Sequence, residues 1–371
     1  MASCSEEISV IRGSIHAYRI FDIGSEMDIL HAEQLLKDQN ASQYSPDLPG
    51  RGMLIAERPL GLILSSWTES IADQEYQVIP FVKIWSFGTI SIRFRLDLDG
   101  HFSLPDLCEI SHYLENSESF HQKAVNQVTE LITLLNPAIK KPGLWRQFED
   151  YLFFHFEKIT EEQEDLKKVF YGDGISSLIL GEKYMEFSDQ INDSVASTIF
   201  QYEKNDLLLI HWNGSILYDA EHDENILHVI EFALCQLLEL RYYDDLLDHQ
   251  LESLYHKIEN KRGTVFRNPY TELARFAALE YIDISDIVDK VGNAFKIIGD
   301  FYYATIFRAA TEKFQIPVWR KIVDHKLGNL AEVSRLFLGD VNEKRNQILE
   351  GIIIVLIAIE VIPFILSLTQ H

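Results

Sequence analysis

One stretch near the C-terminus, Gly351-Ile352-Ile353-Ile354-Val355-Leu356-Ile357-Ala358-Ile359-Glu360-Val361-Ile362-Pro363-Phe364-Ile365-Leu366-Ser367-Leu368, constrains this chain most. Thirteen of its 18 residues are Ile, Leu, Val or Phe. At about 1.5 Å of rise per helical residue they reach about 27 Å, close to the roughly 30 Å of a bilayer core. Their aliphatic side chains outweigh the roughly +3 kcal/mol that one central acid costs. The pattern predicts a transmembrane anchor over 348–368. Lys344 and Arg345 precede it, which places the body on the cytoplasmic side. In a bacterium that membrane would be the inner one.

The N-terminus, Met1-Ala2-Ser3-Cys4-Ser5-Glu6-Glu7, has neither a basic nor an apolar leader segment, so a tail anchor is the expected layout. A length of 371 residues leaves room for two or three domains. The formal charge of −24 is uneven. From Lys261 onward 14 basic residues face 13 acidic ones, a net of +1, which leaves −25 on the first 260. An acidic body repels phosphate backbones and excludes direct nucleic-acid binding by that part. Cys4, Cys108 and Cys235 are few and far apart. They fit a reducing compartment, not a disulfide framework.

Alternation and turn residues organise the rest. Ser14 to Phe21 alternates like a strand, Asp28 to Lys37 has helical spacing, and Gly52–Ile55 and Leu60–Ser66 read as strands. Gln77–Trp85 and Thr89–Leu98 form a β pair about Gly88, and Leu107 to Leu134 reads as one helix. A second unit repeats this order. It has a strand at Tyr151–Phe156, a helix at Thr160–Phe170, a strand at Ile175–Leu180 and a hairpin about Asn213-Gly214, followed by a helix from Asp223 to about Asn260. Asn-Gly predicts a type I′ turn. The likeness of the two halves predicts an internal duplication. Beyond Lys261 the chain reads helical. Apolar residues recur at 3–4 spacing from 284 to 309 and again from 323 to 348, across a turn at Gln315-Ile316-Pro317. That seam predicts a coiled-coil-like helical hairpin, with a possible break at Gly339-Asp340. The expected fold class is α+β: duplicated small α/β units with long helices, then a C-terminal helical hairpin ending in one transmembrane helix. The expected domains are 1–143, 144–262, 263–347 and the anchor 348–368.

No nucleotide loop, nucleophile elbow or zinc-protease motif is present. No catalytic residue and no cofactor are therefore expected. His222 and His228 are six apart, and His249 and His256 seven apart. Neither spacing shares a helix face for one metal, so these read as surface histidines. On a helix, Arg241, Asp244, Asp245 and Asp248 fall along one side. The three aspartates are weak candidates for a cation site, and the whole side is a candidate docking face for a basic helix. A solvated face with ordinary ion pairs is the plainer reading. Glu360, in the apolar stretch, must face protein, pair or stay protonated. It reads as an oligomer contact or part of an ion path, or as the edge of an ordinary buried helix.

Two stretches carry a family resemblance. Ile348-Leu349-Glu350-Gly351 through Ile359-Glu360-Val361, and Gln236 through Glu239-Leu240-Arg241-Tyr242-Tyr243 to Asp248, resemble the family named for "required for meiotic nuclear division" and sporulation, the YagE family. Gly351 stands where many members have Trp. The resemblance covers about Tyr151 to Leu368. It implies a membrane-anchored protein without established enzymatic activity, of bacterial type. It marks Glu239, Arg241, Tyr242 and Tyr243 as motif residues, and Glu350 and Glu360 as oligomer or membrane contacts. The expected function is a tail-anchored, non-enzymatic scaffold or tether that self-associates, with the lipid bilayer and further copies of itself as partners. The alternatives are a metal-dependent enzyme or cation binder using the acidic helix face, and an ion-conducting membrane oligomer.

Overall fold

The computed structural model describes residues 9–38, 43–44, 53–55, 58–160, 165–220, 224–260, 269–293, 295–297 and 301–368. The first half runs β1 (Ser9–Asp22), β2 (Glu26–Met27), α1 (Ile29–Asp38), β3 (Gln43–Tyr44), β4 (Met53–Ile55), β5 (Leu60–Ile63), β6 (Trp67–Ile71), β7 (Gln74–Ile84), β8 (Thr89–Ser103), α2 (Leu104–Asn116), α3 (Glu118–Leu135), a 3-10 turn (Asn136–Ala138) and β9 (Ile139–Lys140). Then come β10 (Phe148–Ile159), α4 (Leu166–Val169), α5 (Asp173–Leu180), α6 (Asp189–Ala196), β11 (Ile199–Phe200), β12 (Leu207–Ile210), β13 (Gly214–Tyr218), α7 (Glu224–Asn260), α8 (Pro269–Asn293), β14 (Phe295–Ile297), α9 (Phe301–Lys313) and α10 (Ile316–Leu368). The chain divides into two compact units, Met1–Tyr242 with Asp289–Trp319, and Tyr243–Val288 with Arg320–His371.

The first unit is built on one sheet of ten strands, in the order β11-β12-β13-β10-β1-β8-β7-β5-β3, with β6 also on β7. β1 lies near its middle, antiparallel to both β8 and β10. Side chains alternate across a strand. Ile15, Ala17 and Phe21 therefore point to one face and join the main apolar core with Phe94, Leu96 and Phe120. There the rings of Phe94 and Phe120 meet edge-on, 4.9 Å apart. Tyr18 and Asp22 point to the other face, toward the first turns of α7. On that side Trp85 packs on Phe232 at 5.5 Å, and Phe232 on Phe307 of α9 at 6.1 Å. In the second unit, Leu273, Ala277, Ile284 and Val288 of α8 and Val323, Leu327, Leu330 and Phe337 of α10 are buried.

Several expectations need correction. The two halves are not repeats of one unit: β8 runs antiparallel to β1, whereas β13 runs parallel to β10, and all four strands join one sheet. No helix among the described residues is long and apolar enough to cross a membrane. The transmembrane anchor over 348–368, the tail-anchor layout and the membrane assignment built on them are therefore withdrawn. That stretch is the end of a continuous 53-residue helix, α10, unbroken at Gly339-Asp340. The side chain of Glu360 lies outside the described residues. The seam expected from 284 to 309 ends with α8 at Asn293, and β14 intervenes before α9.

Local chemistry explains the smaller differences. The helix expected over Leu107–Leu134 is two helices. Ser117, in extended conformation, ends α2 and caps α3 by accepting from the Phe120 N–H at 3.3 Å. Ile175–Leu180 is helical, not extended. Gly181 closes α5 in the left-handed region, and six of its eight residues are buried, which erases the helical period. Only Leu166–Val169 of the helix expected at Thr160–Phe170 forms among the described residues. Neither Asn213 nor Gly214 takes positive φ, so that hairpin lacks a type I′ turn. Gly214 is there for close approach, since a Cβ would sit 2.9 Å from the Leu152 carbonyl oxygen. The left-handed pair falls instead at Ala72-Asp73, between β6 and β7.

Candidate functional site

The register of the sheet writes polar rows onto the face beneath α7. Phe81, Arg93, Tyr18 and Tyr151 are successive partners across β7, β8, β1 and β10. Lys83, Ser91, Ile20 and Glu149 form the next row, and Thr89 opposite Asp22 the one after. Lys83, Arg93, Tyr18, Tyr151, Thr89 and Asp22 are all buried. A polar group removed from water needs a partner. α7 supplies many of them from His228, Glu231 and Glu239, which share one side of the helix near i, i+3 and i+11.

Lys83 donates to Glu231 and, at 2.7 Å, to Nδ1 of His228. Burial and the neighbouring Lys83 charge push His228 below its ordinary range. Burial alone would raise Glu231, but Lys83, His228 and Arg93 overcome it and hold the carboxyl at about 2. Desolvation lowers Lys83 even against Glu231. Arg93 lies over the Phe81 ring at 4.8 Å and reaches Glu224 at 3.8 Å. Burial drives Tyr18 upward, and nearby Glu231 adds to it. Tyr151 donates to the His211 carbonyl at 2.9 Å, and its oxygen lies 2.6 Å from the Ser215 hydroxyl. His228, expected at the surface, is thus a core residue. His249 and His256 are largely exposed.

The motif residues scatter. Glu239 is buried, accepts a hydrogen bond from Thr89, and is pushed up to about 8 by burial. Arg241 pairs with Glu149 and donates to Gln147 at 3.0 Å. Burial still raises Glu149 to about 7 against that arginine. Tyr242 meets Trp145 edge-on at 5.6 Å, and Tyr243 is buried in the second unit. The aspartates are engaged with bases. Within the second unit Lys326 of α10 lies 2.5 Å from Asp244 and 2.7 Å from Asp248, while Asp245 lies 3.6 Å from His249. Among the described residues no group of three or more His, Cys, Asp or Glu could hold a metal ion. Glu350 is exposed. Sequence reasoning missed Asp22, Lys83, Thr89, Arg93 and Glu231. Their only signal is that polar residues alternate with apolar ones along β1, β7 and β8, which reads equally well as a solvated sheet face.

At the end of α10, Ile352, Ile353 and Ile354 are 51%, 53% and 66% exposed. Consecutive helical residues point about 100° apart, so these three half-exposed side chains face three different sides of the helix.

Residues 12–224 match the family described as "Uncharacterized protein MJ0711, N-terminal domain". That is more than half of the chain, and the chain belongs to this family. A relative from Methanocaldococcus jannaschii, "Uncharacterized protein MJ0711", is 23% identical over 226 residues, covering 60% of this chain and 68% of the relative. These matches overturn the resemblance to the meiotic-division and sporulation family and its bacterial-type reading. No solved structure matches.

Proposed function

We propose that this family member is a non-enzymatic assembly protein that self-associates through the end of α10. The observation that carries this reading is the exposure of Ile352, Ile353 and Ile354. An apolar helix surface of this kind is normally covered. A second copy fits best. The residues from Lys261 onward carry a net charge of only +1, while the rest of the chain carries −25. Two copies that meet through this end keep their acidic bodies out of the contact. The turns just before the apolar stretch hold Asp340, Glu343 and Glu350 with Lys344 and Arg345. That mixture is self-complementary for antiparallel helices. The acidic body remains a poor partner for nucleic acid in this reading.

The test is light scattering on the full-length chain across a concentration series, beside Ile353→Asp and the double variant Ile352→Asp with Ile354→Asp. The expected result is an oligomer that both variants reduce to monomer without loss of helical circular dichroism. A wild-type chain that stays monomeric at high concentration, or variants with unchanged mass, would refute it. The cation-binding alternative loses ground to Lys326, which already neutralises Asp244 and Asp248.

A further inference from the structure

Two of the buried acids between α7 and the sheet have a base beside them. Glu231 has Lys83, and Glu149 has Arg241. Asp22 of β1 and Glu239 of α7 do not. Both are 1% exposed. Oε1 of Glu239 accepts from the Thr89 hydroxyl, and Asp22 accepts from the Gly24 backbone N–H. Oδ2 of Asp22 and Oε2 of Glu239 remain buried without any donor, and the two carboxyls lie close enough to act on each other, with Thr89 the partner of both, by hydrogen bond to Glu239 and by register to Asp22. An ionised carboxylate is an acceptor only. Two such acceptors in contact, removed from water, repel each other and leave both oxygens unsatisfied. One proton turns one of them into a donor and satisfies both.

We propose that Asp22 and Glu239 share one proton at neutral pH and form a proton-operated latch that seats the first turns of α7 on the sheet. The groups that act on the pair are each other, the Thr89 hydroxyl of β8 and the Gly24 N–H. Cys235, one turn away on α7, feels Glu239, and beyond it Cys235 also feels Lys83 and Glu231. Among the described residues no lysine or arginine acts on either carboxyl. Burial raises both acids, Glu239 to about 8. A carboxyl raised in the folded state contributes full stability below its ordinary pKa and loses it as pH rises through the folded value. The latch therefore holds most tightly near the ordinary carboxyl range and loosens as pH rises toward about 8, with no further loss above it.

The experiment is hydrogen exchange of residues 224–242 in the full-length chain, corrected for intrinsic base catalysis, between about pH 5 and about pH 10. It is paired with an infrared titration of the protonated carboxyl band. Wild type should show that band at neutral pH and lose it in alkali. Opening of α7 should rise by up to about 10-fold per pH unit between the ordinary carboxyl range and the folded value of about 8, and level off above it. Glu239→Gln keeps a donor and an acceptor without ionising, and should abolish both the band and the rise in opening toward about pH 8. An absent band at neutral pH, a band unchanged in Glu239→Gln, or exchange profiles that run parallel in wild type and variant would overturn the latch. So would a response that follows a chelator instead of pH, because a cation would then bridge the pair. If Glu239→Gln does not fold, Asp22→Asn and the wild-type infrared titration decide alone.

Discussion

Replacing Glu231 by Gln tests whether the polar layer under α7 acts as a set of compensated charges. The substitution keeps the shape of the side chain and removes its charge. Lys83 then faces His228 with no anion in contact, inside a site where Glu231 itself is 1% exposed. Two routes give the magnitude. Glu231 is held at about 2 against an ordinary 4.5. At about 1.4 kcal/mol per pH unit that corresponds to about 3 kcal/mol at neutral pH. Removing one partner of a buried pair costs about 3–5 kcal/mol, because the remaining charge has lost its compensation. The routes agree on about 3–4 kcal/mol, which in a chain of this size lowers the unfolding midpoint by about 5 °C. A carboxyl depressed in the folded state contributes stability above its ordinary pKa and loses it as pH falls. The wild-type and Glu231→Gln curves should therefore differ most at neutral pH and converge between about pH 4.5 and about pH 2. The assay is thermal and urea unfolding of the full-length chain, with Lys83→Met, Glu231→Leu and the double variant Lys83→Met with Glu231→Leu forming a cycle. The double variant should recover most of the loss, since well-packed apolar replacements of a buried pair are often neutral or better. A loss below about 1 kcal/mol in the single variant, or a double variant no better than the sum of the singles, refutes the reasoning.

Three further outcomes follow from particular contacts. Gly88 has φ +94, and a Cβ there would lie 1.8 Å from the Gly24 carbonyl oxygen; Gly88→Ala should cost at least about 2 kcal/mol by urea midpoint, because both backbones must shift. Lys326→Met should destabilise the second unit by about 1 kcal/mol at low salt, with the difference shrinking as salt rises, since Asp248 is largely exposed; a difference independent of salt would contradict the ion pairing. Cys108 and Cys235 are buried, and burial pushes the Cys108 thiol up to about 12; neither should react with an aromatic disulfide reagent until the chain unfolds, and rapid native labelling of either would contradict the core packing.

The backbone plan was more legible than the chemistry. Ser14 to Phe21 reads as a strand because it alternates, and the helix from Asp223 is legible because its apolar period runs without Gly or Pro. Strand order was hidden. β10 pairs with β1 across more than a hundred residues, and only tertiary packing decides that it joins the same sheet. The buried polar face was hidden for a sharper reason. His16, Tyr18 and Asp22 alternate with Ile15, Ala17 and Phe21, the pattern of a sheet with one face in water. Nothing local states that α7 covers that face. Glu239 was singled out by its motif, yet what makes it unusual is Asp22, far away in sequence and opposite Thr89 in register. The apolar end was overread because aliphatic density alone does not separate a membrane span from the last turns of a long helix.

The two acids of α7 that face the sheet show how position decides their chemistry. Glu231 and Glu239 lie eight residues apart on one side of the helix, and both are 1% exposed. Glu231 lands over the row that holds Lys83 and is kept ionised. Glu239 lands over Thr89 and Asp22, where no base among the described residues acts on it, and is pushed toward its protonated form. The same helix is therefore seated by one contact that weakens as pH falls below the ordinary carboxyl range and by another that weakens as pH rises from it toward about 8. That pairing predicts a stability maximum between the two titrations. Removing either carboxyl should displace the maximum in opposite directions, toward alkali in Glu239→Gln and toward acid in Glu231→Gln. A pH profile that shifts the same way in both variants would show that some other group governs how α7 is held.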